Sequence, residues 1–400
     1  MDGSRRTAPF AIEEGRGELL APLSFAPAEY ERRQAALRAA MRERGLDVFV
    51  SFSPENIFYL TGHDTPAYQY LQATIVTHDA LPLNVLRSID ASNTLAASWS
   101  RRAVVYADHD DPVDAVAFAV GQAASRGMRI GLEDESFFVT PRRFQAIEAR
   151  LAAAGLDAVP AHLVEPLRLV KSQEEIAHIR RAAEITTAAM QAAIGAARAG
   201  TSENEIAAAV WSSLVRGGGE FPGLPPFIVS GPRTSLGHAT WAGRTLQAGD
   251  ALAFEIPGVV RRYVAPLFRT GTVGPPPAEM RDLSALCIAS LGRMIEAIRP
   301  GVEIGAVHAI NVDTFARGGH AIGHRSGYSV GVNYAPDWGE GGILSIMDGE
   351  TRRFEAGMVF HLVPGIFVPG RHVVVISETV LVTPTGCERL TNVPQDLFVV

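Results

Sequence analysis

Residues 167–176 read Leu167-Arg-Leu-Val-Lys-Ser-Gln-Glu-Glu-Ile176, and Arg180-Arg-Ala-Ala-Glu184 follows. Ser172 and Glu175 have the spacing of a capping box. In such a box the serine oxygen accepts from the backbone N–H three residues on, and the glutamate reaches back to the serine N–H. The helix opened here runs through good helix formers to about Ala199, where Gly200 ends it. Ser202-x-x-Glu205 opens the next helix in the same way. The character of the chain changes over residues 163–171, which places a domain boundary near residue 166.

Before that boundary, helix-like and strand-like segments alternate. The first 24 residues read as a loose arm. Residues 27–44 carry an apolar stripe at helical spacing (Tyr30, Ala35, Leu37, Met41), with Gly45 as a stop. Residues 46–52 read as a buried strand. Strand, helix, strand and helix follow at 104–107, 113–124, 128–132 and 141–154. The alternation predicts an α/β domain over 25–165.

After the boundary the grouping changes. Two helices precede strands at 251–256 and 259–265, helices follow at 277–298 and 303–316, and strand-rich sequence including 358–366 and 372–383 fills the rest. Helices grouped and strands grouped predict an α+β domain with a largely antiparallel sheet over 166–400. No sequence repeat is visible.

Composition narrows the function classes. Of 400 residues, 47% are hydrophobic and 20% charged, ample for packed cores. The net charge of −7, with charges scattered, is unsuited to a nucleic-acid surface, which needs a basic face. No stretch reaches the ~18 to 20 apolar residues of a membrane span, and the N-terminus has no apolar signal region, so a cytoplasmic protein is expected. The two cysteines, Cys287 and Cys387, form no CxxC pair, which predicts neither a disulfide framework nor a thiolate zinc site.

The 167–184 segment resembles the stretch that joins the two domains of creatinases, prolidases and aminopeptidases P. In that family's order follow Gly249-Asp250, the strand bearing Glu255, Arg269-Thr270, Gly357-Met-Val-Phe360 and Glu378-Thr-Val-Leu-Val-Thr383. Each fragment alone is weak; five in order are not. The resemblance implies an α/β N-terminal domain followed by an α+β "pita-bread" catalytic domain, and a homodimer. Within the family, Arg325-Ser-Gly-Tyr-Ser-Val-Gly331, Pro336-Asp-Trp-Gly-Glu340, Phe360-His361 and Leu390-Thr-Asn-Val-Pro-Gln-Asp-Leu-Phe398 resemble ectoine hydrolases most.

Metallopeptidase members hold two metal ions with two Asp, one His and two Glu. Carried across residue by residue, those positions fall here on Glu255, Pro266, Tyr328, Val363 and Ser377. One carboxylate in five cannot hold a dinuclear centre, and proline and valine have no donor side chain. No HExxH or HxH spacing offers a substitute. The expectation is no metal and no other cofactor.

Hydrolysis without a metal needs a side-chain base or nucleophile and a proton shuttle. Glu255 lies on the strand Ala-Leu-Ala-Phe-Glu-Ile. By alternation Leu252, Phe254 and Ile256 face one way, and Ala251, Ala253 and Glu255 the other. Two alanines beside a carboxylate leave room for a ligand, and an apolar setting raises its pKa. The plainer reading pairs Glu255 with an arginine such as Arg261. His238 stands in Ser235-Leu-Gly-His-Ala-Thr-Trp241, where the family places a substrate-contacting His that metal-free members use for proton transfer.

Around these two, Tyr328, Trp338, Glu340, His361 and Glu378 are candidates for binding substrate. Trp338 offers a cation a π-face and Glu340 a counter-charge; Glu378 has a structural hydrogen bond as its alternative. From the first domain, Tyr68, Tyr70, Arg87 and Trp99 are expected to cap a partner subunit's site, as the family's dimers imply. Three departures stand out. Val375 occupies a Glu position of ectoine hydrolases, Thr65-Pro-Ala-Tyr-Gln-Tyr70 matches their aromatic-rich segment poorly, and the carboxylate-holding Arg of creatinases near 338–342 is absent. The expected reaction is metal-independent hydrolysis of a C–N bond in a small zwitterion, with a cyclic amidine such as ectoine as substrate. Alternatives are a creatinase-like amidinohydrolase, an Xaa-Pro-type peptidase and a non-catalytic binding protein.

Overall fold

The structure is a computed structural model that describes residues 10–400. The chain divides into two units between Leu167 and Arg168. The first unit contains β1 (Ile12–Glu14), α1 (Pro27–Glu43), β2 (Val48–Ser51), α2 (Pro54–Thr61), β3 (Ala73–Thr77), β4 (Leu83–Arg87), α3 (Ala91–Ala97), β5 (Arg102–Tyr106), α4 (Pro112–Ala123), β6 (Arg129–Leu132), α5 (Pro141–Ala153) and β7 (Asp157–Pro160). Its strands form one seven-stranded sheet in the order β1-β5-β4-β3-β2-β6-β7, with parallel pairing at β4–β5, β2–β6 and β6–β7. Crossover helices feed those parallel pairs, as an α/β domain requires.

Two expectations for this unit change. Part of the arm is not loose: Ile12–Glu14 adds an antiparallel edge strand to β5, with Ile12 opposite Val104. Three residues are too few for alternation to reveal a strand. The remainder of the arm's start, residues 1–9, lies outside the described residues. In α1 the buried face runs through Tyr30, Arg33, Gln34, Leu37 and Met41, while Ala35 is exposed. Arg33 is inside because Glu29 pairs with it and the Tyr59 carbonyl accepts from it, so a charged residue completes the 3.6-residue period.

The second unit follows α6 (Glu165–Leu169), a short helix at the junction of the chain. It contains α7 (Gln173–Ala196), α8 (Glu203–Arg216), β8 (Phe227–Ser230), β9 (Ala251–Val260), β10 (Tyr263–Thr272), α9 (Ala278–Ala297), α10 (Ile304–Arg317), β11 (Gly327–Ser329), β12 (Ser345–Ile346), β13 (Val359–Leu362), β14 (Gly365–Val368), β15 (His372–Val375), β16 (Glu378–Val382), β17 (Cys387–Arg389) and β18 (Phe398–Val399). Both capping boxes are formed, Ser172–Glu175 on α7 and Ser202–Glu205 on α8.

Two helix-on-sheet layers build this unit. The apolar faces of α7 and α8 meet β8–β9–β10 through Ile185, Met190, Val210, Leu214, Phe254 and Leu267. Those of α9 and α10 meet the second sheet, order β12-β11-β13-β16-β17, through Leu283, Leu291, Val307, Phe315, Phe360 and Val380. Pairing is antiparallel except between β10 and β18. The pattern of two helices over a sheet therefore occurs twice, without a matching repeat in sequence.

The β9–β10 hairpin corrects one boundary. The strand does not stop at Pro257-Gly258 but continues to Val260 and turns on Arg261-Arg262. Both arginines have positive φ, 47° and 65°, as a two-residue hairpin turn demands. The Glu220 carboxylate accepts from both of their backbone N–H groups, and Arg262 is buried with its guanidinium on the Asn333 and Phe221 carbonyls. Those bonds offset the left-handed conformation that glycine normally fills. Gly258 is needed for a different reason: a Cβ there would collide with Thr186 Oγ1 of α7.

Candidate active site

In the second unit, β8, β9 and β10 form one wall of a cavity of about 280 Å³. Glu255 sits in the middle of β9 and faces Phe268 across the hairpin, with Phe227 opposite it on β8. All three line the cavity, as does Ala253 two residues along the same face. The alternation read from the sequence thus delivers a carboxyl into an apolar pocket. Its side chain is 12% exposed. Burial, then the nearby Asp337 carboxylate, pushes its pKa up to about 8, against a smaller opposing pull from Arg325. Arg261 is not its partner, because Arg261 sits in the hairpin turn.

His238 reaches the same cavity from the loop after β8. Its φ of 58° is left-handed, a conformation that costs a non-glycine residue of order 1–3 kcal/mol. The loop accepts that strain and presents an exposed imidazole, with its ring 5.6 Å from Phe227. Strain of this kind clusters at functional sites.

The opposite side carries Tyr328 on β11, with Trp338 from the following loop. The Trp338 indole donates to the Tyr328 hydroxyl at 2.9 Å and packs on Phe227 with centroids 4.8 Å apart. Gly339 makes that arrangement possible, since a Cβ there would come within 2.7 Å of the Tyr328 ring. Burial, with Glu255 adding to it, raises the Tyr328 phenol well above its ordinary value, so it stays protonated. Behind it, His361 on β13 is fully buried, with Nδ1 2.9 Å from the Tyr328 hydroxyl and Nε2 2.7 Å from Ser377 Oγ. Its Nδ1 lies 4.0 Å from Glu255 Oε1. Burial, then the Arg325 and Arg269 charges, drives its pKa down to about 3, so the ring is neutral.

Four candidates belong together: Glu255, His238, Tyr328 and Trp338 line the cavity, with His361 directly behind Tyr328. Two do not join them. Glu340 is fully enclosed by Arg168 at 2.9 Å and Lys171 at 2.7 Å, and Ser329 also donates to it. Burial works against its charge, but the Lys171 and Arg168 cations hold its pKa below the usual range. It is the counter-ion of the 167–176 segment rather than a substrate contact. Glu378 is likewise buried against Arg269 at 2.7 Å, with Thr391 and Gln395 also donating to it. Neither residue lines the cavity.

Tyr70, Arg87 and Trp99 lie in the first unit. There the Arg87 guanidinium sits 3.8 Å above the Tyr70 ring and pairs with Asp90 and Asp108. Trp99 stacks on Tyr30 at 5.2 Å, and Tyr68 packs edge-on against Phe138. Sequence reasoning missed Arg325 and Asp337, which both line the cavity. Arg325 lies 4.2 Å over the Tyr328 ring, and Asp337 caps the backbone of Trp338 and Gly339. Both stand inside motifs quoted above, but a single Arg or Asp in a loop carries no signal of its direction. Val375 also lines the cavity, adding an apolar side chain where a carboxylate stands in the pattern it departs from.

Residues 177–384, over half the chain, match the model of metallopeptidase family M24, and residues 33–170 match that of the creatinase/prolidase N-terminal domain. The chain belongs to the M24 family. It is a hydrolase family, and the M24 chain here is 30% identical to an uncharacterised hydrolase/peptidase of Sinorhizobium fredii, across 94% of this chain and 99% of that one. It is 29% identical to the ectoine hydrolase of Halomonas elongata, across 94% and 98%. Among solved structures, the prolidase of Thermococcus sibiricus superposes with a TM-score of 0.82 at 21% identity, covering 93% of this chain and 99% of that one. The dipeptidase PepE of Mycobacterium ulcerans gives 0.77 at 27%, covering 94% and 99%. The fold is therefore the pita-bread fold with its creatinase-type N-terminal domain.

The family's name implies metal ions, and this chain's donor set does not fit them. The five positions that the resemblance carries across supply one carboxylate, a phenol held by Trp338 and His361, a hydroxyl bonded to the Phe268 backbone, and two side chains with no donor. Among the described residues, no group of three or more His, Cys, Asp or Glu is placed to hold a metal ion.

Proposed function

We propose that this M24 protein hydrolyses a C–N bond of a small zwitterionic amidine without a catalytic metal, acting on ectoine or a close cyclic relative. The observation that carries the reading is Glu255: a largely buried carboxyl with its pKa pushed up to about 8, lining an apolar cavity at a position where the resemblance puts a metal-ligating Asp of metallopeptidases. The ionised carboxylate attacks the amidine carbon, or deprotonates a water that does. His238 carries a proton to the departing nitrogen, and one water is consumed in the cycle. Trp338 gives the cationic amidine a π-face, while Arg325 offers a charge partner for its carboxylate. The ectoine hydrolase relative supports this choice of bond.

A second reading is favoured by Val375. Without a carboxylate at that position, a guanidino acid such as creatine, with the same planar cationic carbon, is the competing substrate. The test is purified protein, stripped with chelator, offered ectoine, hydroxyectoine, creatine and Xaa-Pro dipeptides while product amines are followed. Turnover of ectoine that survives chelation supports the first reading. Turnover of the dipeptides that requires added Mn²⁺ or Co²⁺ overturns it.

A further inference from the structure

The hydrogen-bond chain behind the cavity has a direction. Tyr328 Oη, His361 and Ser377 Oγ are joined in a line, with fixed donors at both ends. At one end, the Trp338 indole N–H can only donate, so Tyr328 Oη accepts from it. At the other end, the Phe268 backbone N–H donates to Ser377 Oγ at 2.6 Å. Between them His361, neutral, has one N–H to place.

Only two arrangements exist. If Nε2 carries the hydrogen, it donates to Ser377 Oγ. That oxygen then accepts twice, and its own O–H, fully buried, has no further acceptor among its bonded neighbours in the structure. If Nδ1 carries the hydrogen, Ser377 O–H donates to Nε2, and Nδ1–H donates to Tyr328 Oη. The His361 N–H and the Ser377 O–H then both have acceptors. Tyr328 Oη now accepts from both Trp338 and His361, so its own hydrogen cannot point back into the protein. The remaining direction is the cavity that Tyr328 and Glu255 both line.

We infer that Tyr328 is a catalytic hydrogen-bond donor for the reacting amidine group, and that Ser377 and His361 are positioning residues that hold its O–H toward the cavity. The inference rests on the proposed amidine hydrolysis and adds a donor to it. As Glu255 or its water bonds to the amidine carbon, electron density moves onto the heteroatoms of that carbon. A phenol O–H already aimed there stabilises them without reorganising, the general logic of an oxyanion hole. No proton leaves the phenol, in keeping with its raised pKa.

The direction is read by ¹⁵N NMR of histidine-labelled protein, with the His361 signals assigned by their loss in His361→Gln. The expected result is the Nδ1–H tautomer at neutral pH, with Nε2 unprotonated. Finding Nε2–H overturns the relay, whatever the substrate. In kinetics, Tyr328→Phe is expected to lower kcat by about 100-fold, the usual cost of one such donor. Ser377→Ala should lower kcat by about 10-fold with KM within about 2-fold, as the loss of an orienting partner does, and should shift His361 toward Nε2–H. Ser377→Thr, which keeps the hydroxyl, should restore both. Unchanged kcat in Tyr328→Phe and Ser377→Ala overturns the inference. A wild-type Nδ1–H tautomer in a protein that turns over no amidine would leave the relay standing and remove the proposed reaction; the reverse pair would remove the relay alone.

Discussion

Glu255 owes its pKa near 8 to the removal of water more than to any neighbouring charge. Its pKa is raised, so the folded state binds a proton that the unfolded chain releases above about pH 4.5. Stability from this group is present at low pH and declines as pH rises from about 4.5 toward 8. Glu255→Gln cannot ionise and escapes the decline. Thermal denaturation should show the variant more stable than the parent at pH 9 and nearly equal to it at pH 4.5. Kinetically, a carboxylate that attacks or accepts a proton must be ionised, so kcat/KM is expected to rise with pH through an apparent pKa near 8. A profile that falls there would make Glu255 a proton donor instead. At this scale the sequence was informative about Glu255 and His238, because a period-2 strand and a family register fixed their placement. It was silent about Arg325 and Asp337, whose direction is set by loop contacts rather than by periodicity. It also suggested Glu340 and Glu378 as ligand contacts, because a buried counter-ion and a substrate ligand look alike until their partners are seen.

Two elements depend on those partners. Glu340 ties Arg168 and Lys171, from the 167–176 segment, to the chain just after β11. Removing one member of a buried ion set leaves uncompensated charge, so Glu340→Gln should destabilise the protein by about 3–5 kcal/mol in chemical denaturation. Its pKa is lowered in the fold, so the stability it contributes is present above the ordinary carboxylate range and is lost as pH falls through its depressed value. The capping box on α7 is exposed to a milder test, with Ser172→Ala expected to cost about 1 kcal/mol. These helix starts were legible because a cap is a local pattern. The full length of β9 was not, since Pro257-Gly258 reads as a stop. The strand continues because Thr186 Oγ1 accepts from the Gly258 N–H and donates to the Ala265 carbonyl, joining the helix to the ladder.

For the whole molecule, the grouping of elements on either side of residue 166 is enough to suggest two architectures. The placement of a cavity inside the second one is not, because it depends on long-range pairing such as Tyr328 opposite His361. No helix among the described residues is long and apolar enough to cross a membrane. The dimer implied by the resemblance remains a proposal for light scattering, which should give twice the 42.8 kDa chain mass; a single-chain mass would count against it. Hydrolysis by Glu255 in place of metal ions is the proposal on which the function of this pita-bread protein rests. Its most direct measurement is ectoine turnover by protein whose metal content has been brought to zero, beside Glu255→Gln. Full activity is expected in the metal-free protein and a loss of at least about 1000-fold in the variant, the scale of losing a group that acts in the transition state. Activity that vanishes with the metal and persists in Glu255→Gln would contradict it.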